Sequence, residues 1–253
     1  MHATTLDQII NELRAVTDLA EREASRIGYF AALYTRVTTA VTRGIRAGFF
    51  KDGPQMERLD VAFANLYLDA VGRHRRHERG IRAAWRVAFD TAARPEATLL
   101  QHIYLGMNAH LLVDLPIAVA GTCPREKLPT LRADFLRINK IVDEEMGVFH
   151  EDLCAVSPQL ARLHARAGRL WAASSSTALR VSRRFAWSGA AWLAGREETK
   201  QGEMIDRFDR AATRIGTQIS CGGVGLRPVF RALRDGERED VREIIRVLRG
   251  RLR

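Results

Sequence analysis

Apolar residues recur at helical spacing along almost the whole chain. Leu6, Ile9, Ile10, Leu13 and Val16 mark one face of a first helix, and Thr5 followed by Gln8 has the form of a capping box at its start. Gly28 marks a break. Phe30, Leu33, Tyr34, Val37 and Val41 form the next stripe, which runs out around Gly44 to Gly48. Lys51 to Pro54 (KDGP) is a turn signal, and Leu59 to Val71 is periodic again. Arg73 to Gly80 predicts an exposed connection, Ile81 to Ala93 a short helix, and Ala97 to Val119 the most apolar helix of the chain. After a loop over Gly121 to Pro129, Leu131 to Leu153 reads as a long helix. Ser157-Pro158 is a start signal, because proline suits a first helical turn. Residues 160–195 predict one or two helices around Ser174 to Thr177, and residues 198–219 another. Cys221 to Gly225 (CGGVG) reads as a turn, and a last helix is expected from about Asp235 to Leu248. No alternating run of β-branched or aromatic residues predicts a strand. The expected fold is all-α, a single irregular bundle of about eight to ten helices. Its main domain is expected over residues 1–220, with a C-terminal helical extension over 221–253 packed on it.

Composition narrows the class. With 253 residues, 46% hydrophobic and 28% charged, the chain can bury a sizeable core and does not have the composition of a disordered protein. Three cysteines without a C-x-x-C pair argue against a disulfide scaffold or a cysteine-based zinc finger. The start, MHATTLDQIINEL, lacks the layout of a secretory signal, and no stretch of 18 apolar residues predicts a spanning helix. A cytoplasmic protein is the expectation. The net charge of +10 is uneven: residues 1–159 hold 20 basic and 20 acidic side chains, and residues 160–253 hold 20 and 10. Arginines dispersed among apolar positions, as in Arg180 to Trp187, predict a solvated helical surface. No pattern for stacking bases accompanies them, which argues against nucleic acid and leaves a weak contact with an anionic membrane open.

Polar residues inside apolar helices carry the candidate chemistry. His102, Asn108, His110 and Asp114 interrupt the run Gln101 to Pro116. His110 and Asp114 are four apart and share a helix face, while His102 lies two turns earlier, about 80° round, within reach of the same cavity. Such groups need partners when buried: a divalent metal, a hydrogen-bonded general-base pair, or a structural network between helices. Glu57 and Asp60 in Met56 to Ala70 are the second constellation, with Asp60 set directly between apolar neighbours. These two carboxylates either complete the site of His110 and Asp114 or form salt bridges with Arg26 or Arg43. A thinner set comprises Asn139, Glu203 and Asp206, the last of which can also make an i,i+4 ion pair with Arg210. His74 and His77 are expected in solvent, and His150 and His164 have no evident partner. Cys123, Cys154 and Cys221 read as inert, and Trp85, Trp171, Trp187 and Trp192 as core or groove aromatics. Phosphate-binding loops, dinucleotide fingerprints, nucleophile elbows and H-E-x-x-H are all missing.

Four stretches carry a resemblance: SRIGYFAALYTRVT (Ser25 to Thr38), MERLDVAFANLYLDA (Met56 to Ala70), QHIYLGMNAHLLVDLPIA (Gln101 to Ala118) and LRADFLRIN (Leu131 to Asn139). With them, residues 6–218 resemble the uncharacterised bacterial family known as domain of unknown function 5995, which implies no activity. Leu105 to Ala120 is also distantly similar to the H-x-x-x-D helix of zinc-dependent phospholipase C and S1/P1 nucleases, helical phosphoesterases with a three-zinc site. That similarity implies metal ligation by His110 and Asp114. The further histidine that often follows a proline in that family is replaced here by Ile117, Ala118 and Val119 after Pro116, so one or two metals at most are implied.

The resulting expectation is an enzyme whose catalytic residues are His110, Asp114, Asp60 and His102, oriented by Glu57 and Asn108. A divalent metal such as zinc would be held by His110, Asp114 and Asp60 for phosphoester hydrolysis; without it, acid–base chemistry on a small metabolite is expected. The alternative is a non-catalytic protein that binds an apolar ligand or a partner, with the His/Asp residues as a structural network.

Overall fold

A computed structural model of the chain describes residues 2–238 and 240–250, with side chains described outside 167–176 and 224–226. It is 83% helical, and the described residues contain no strand. The helices are α1 (Leu6–Arg22), α2 (Ile27–Arg46), α3 (Gly53–Arg75), α4 (Ala83–Ala92), α5 (Leu99–Ala109), α6 (Leu115–Thr122), α7 (Leu128–Val156), α8 (Pro158–Leu193), α9 (Glu198–Cys221), α10 (Gly223–Arg234) and α11 (Val241–Arg249). A π turn, His110–Asp114, joins α5 to α6, so that Leu99–Thr122 forms one continuous rod.

Local chemistry explains most of the boundaries. The Thr5 side chain accepts from Gln8 N and caps α1, but the Gln8 side chain returns to Thr4 rather than to Thr5. Asp52 caps α3 through Gln55 N, with Pro54 in the first turn. Asp134 of α7 accepts from Lys51 N and Asp52 N, which pins the α2–α3 turn onto α7. Thr98 and Gln101 form a reciprocal capping box at the start of α5. Asp209 of α9 accepts from Ala83 N and Ala84 N, closing the N-terminus of α4 from another helix.

Two expectations about the C-terminal region are corrected. The turn at CGGVG shrinks to Gly222, which takes the left-handed conformation that ends α9; α10 then starts immediately, although no helix was expected there. The last helix begins at Val241, not Asp235, because Asp240 supplies the side-chain cap. Residues 160–195 form one helix, α8, which continues through Ser174 to Thr177. The aromatic reading of Trp171 lies outside the described side chains.

The rod Leu99–Thr122 runs through the middle and packs on α2, α3, α4, α8 and α9. By length and composition it is the one described helix that could cross a membrane, where none was expected. Two-thirds of its apolar window (67%) is buried inside the bundle, which accounts for the apolar run as core. One core gathers around this rod with α2, α3, α4, α7 and α8. A second joins α1, α2, α5 and α7 to Val241, Ile244, Ile245 and Leu248 of α11. Gly28 lets α2 meet α11: a Cβ there would lie 2.5 Å from Ile245 Cδ1.

Candidate functional site

The π turn sets the site. His110 Nδ1 lies 2.9 Å from Asp114 Oδ2, and Trp85 Nε1 donates to the same oxygen at 3.0 Å. An indole N–H can only donate and a carboxylate can only accept, so the imidazole proton sits on Nδ1. His110 Nε2 is left with its lone pair and no partner among the described residues, at 3% exposure. The ring stacks on Phe63 (centroids 3.6 Å apart, 8° between planes) and meets the edge of Tyr34 at 4.4 Å. Burial pulls its basicity down, and the Asp114 carboxylate works against that.

His110 lines a cavity of about 80 Å³ walled by α2, α3, α5, α7 and α8. The α2 wall is the stripe Phe30, Leu33, Tyr34, Val37 and Val41. Asp60 enters from α3, one turn before Phe63. It is 8% exposed, its Oδ2 has no partner among the described residues, and burial pushes its pKa up to about 7. Burial, with the neighbouring Asp60 charge in support, holds the Tyr34 hydroxyl well above the ordinary phenol range. Arg183 of α8 supplies the only positive charge among the described lining residues.

The expected residues fall into three groups. His110 and Asp60 share the cavity, and neither Arg26 nor Arg43 pairs with Asp60. Asp114 is turned to Trp85 behind His110 and acts on it from there. His102, Glu57 and Asn108 are elsewhere. His102 lines a separate small void with Arg26, Tyr67 and Trp85, and packs edge-on against Tyr29, because Phe30 stands between the two turns of the rod. Burial drives its pKa down to about 3. Glu57 is half-buried on the far side of α3, and Asn108 Nδ2 donates to Ala212 O, tying α5 to α9. Among the described residues, no group of three or more His, Cys, Asp or Glu is arranged to hold a metal ion.

Several other residues differ from their sequence reading. Asn139 accepts from Arg183 Nε at 2.8 Å, and Asp206 and Arg210 are exposed. His74 is not free in solvent but stacks on Phe89 at 4.6 Å. His150 and His164 do find a partner: each other, Nε2 to Nδ1 at 2.7 Å across α7 and α8, with Cys154 Sγ 3.6 Å from His150 Nε2. They edge a groove of about 730 Å³ whose apolar floor shares Met107, Leu111, Met146 and Leu179 with the cavity. Trp85 and Arg183 are the site residues that sequence reasoning missed. Trp85 was visible only as one more core aromatic, and nothing in the pattern set Arg183 apart from the neighbouring arginines.

A model of a family of unknown function, DUF5995, matches residues 6–221. No curated protein and no solved structure matches.

Proposed function

The chain belongs to the DUF5995 family, and for it we propose acid–base chemistry on a small, largely apolar molecule bound in the Asp60/His110 cavity. One observation carries the reading. Among the described residues, the buried proton-exchanging atoms Asp60 Oδ2 and His110 Nε2 have no protein partner, and they belong to side chains that line one mostly apolar cavity. Leaving such atoms unpaired costs free energy that a purely structural role does not return. His110, neutral and oriented through Asp114 and Trp85, is the base. Asp60, with a pKa near 7, gives or takes the second proton. A metal-dependent phosphoesterase would need His110, Asp114 and Asp60 to converge on one ion. The engagement of Asp114 with Trp85 favours the metal-free version.

The test is solvent exchange. The protein is incubated in D₂O with a pool of apolar metabolites, its metal content is measured in parallel, and label is followed by mass spectrometry. Wild type should place deuterium in a bound metabolite, and Asp60→Asn and His110→Gln should not. Equal labelling by all three, or none above a protein-free control, would refute the proposal. Activity that tracks stoichiometric metal would replace it with the metal-dependent version.

A further inference from the structure

Arg183 is a buried cation without a counterion among the described residues. It is 5% exposed, and among the described residues no carboxylate lies within ion-pair distance of it. Its Nε donates to Asn139 Oδ1 and its Nη2 to Phe135 O, both at 2.8 Å, and the guanidinium lies 4.4 Å from the centre of the Phe135 ring. These contacts orient the head without neutralising it, and Nη1 makes no hydrogen bond to any described residue. A carbonyl and an amide oxygen could be clamped by a neutral amide. The full charge is surplus to that task and costly in an apolar wall.

Resting on the cavity reading above, we propose that Arg183 holds the carboxylate of an apolar monocarboxylic acid, the ligand or substrate of the Asp60/His110 site. The single cation selects the charge. One guanidinium matches one carboxylate, and a dianionic phosphate would bring a second charge into a wall that offers no second arginine or lysine among its described lining residues. Asp60 is spared pairing with Arg183, which leaves it free to exchange protons. The cavity of about 80 Å³ takes the head and first carbons only. The chain continues past Met107, Leu111, Met146 and Leu179 into the adjoining groove of about 730 Å³. Two methionines at this junction can change rotamer to let it through.

The experiment uses the full chain and a neutral fluorescent probe, N-phenyl-1-naphthylamine, displaced by decanoate or by decanol. Wild type should bind decanoate about tenfold to a hundredfold more tightly than decanol, the range of one charge-assisted hydrogen-bonded contact. High salt should leave that preference intact, because the pair is buried. Arg183→Met should bind probe and decanol as before and lose the preference; Arg183→Lys should keep part of it. Equal affinity for decanoate and decanol in wild type, or a preference surviving in Arg183→Met, would overturn the carboxylate assignment while leaving the cavity reading intact. Should wild type bind neither the probe nor either chain, the cavity reading fails and this inference with it. If Arg183→Met does not fold, the wild-type comparison and Arg183→Lys decide the matter.

Discussion

Asp60 keeps its proton up to about pH 7 in the fold, whereas its ordinary value is 3.8. An unfolded chain releases that proton near 4, so stability falls as pH rises from about 4 to about 7 and levels off above. The full loss is on the order of 4 kcal/mol. Asp60→Asn removes the ionisation. It should raise the melting temperature at neutral pH, with a gain that shrinks toward pH 4; thermal melts across that range would check it. A stabilising substitution in a cavity wall is the behaviour of a group kept for chemistry. Trp85→Phe should act in the opposite direction. It takes one of the two donors from Asp114 Oδ2 in a fully packed position, and denaturant unfolding should show a loss of about 1–3 kcal/mol.

At the scale of elements, the rod Leu99–Thr122 is where packing and chemistry meet. Gly106 allows α5 to lie against α2: a Cβ there would stand 2.3 Å from Phe30 Cγ and 2.8 Å from its Cβ. The root of an aromatic side chain cannot swing aside as a long aliphatic tip can. Gly106→Ala should therefore cost about 1–3 kcal/mol in an unfolding titration. Because Phe30 also walls the cavity, the same variant should weaken probe binding. The π turn directly follows this contact. Its extra residue resets the helix register between Ala109 and Leu115, and it holds His110 against Phe63 while Asp114 meets Trp85.

Across the whole molecule, the last helix is bound into the fold. Ile245 and Leu248 are fully buried, and Arg246 and Arg249 pair with Glu21 and Asp18 of α1 at 2.7 and 2.5 Å. Part of the basic excess of the C-terminal third thus faces acidic partners in α1. A chain stopped after Arg234 retains the whole family-matched segment but uncovers Ala20, Leu33 and their neighbours. It should melt well below the full chain and bind a dye for exposed apolar surface. Unchanged melting would show α11 to be dispensable.

Helical periodicity alone carried the fold class, nearly every helix and the α2 stripe that became a cavity wall, because burying one face of a helix imposes a 3.6-residue repeat whatever its neighbours are. The pairing of His110 with Asp114 was also legible, since four residues along one helix bring two side chains together without help from the rest of the chain. α10 escaped notice because its start is glycine-rich and Pro228 lies inside it, both turn signals in a local reading. What the sequence could not decide is which helices face each other. His102, two turns before His110 and about 80° round, read as within reach of the same cavity, but Phe30 of α2 lies between them. Trp85, Asp60 and Arg183 reach the site from three other helices, 25 residues or more away in sequence. Only packing determines that, among the described residues, Asp60 Oδ2 is left unpaired, that Arg183 has no counterion, and that both side chains line one cavity, because burial and the absence of a partner are properties of the space between helices.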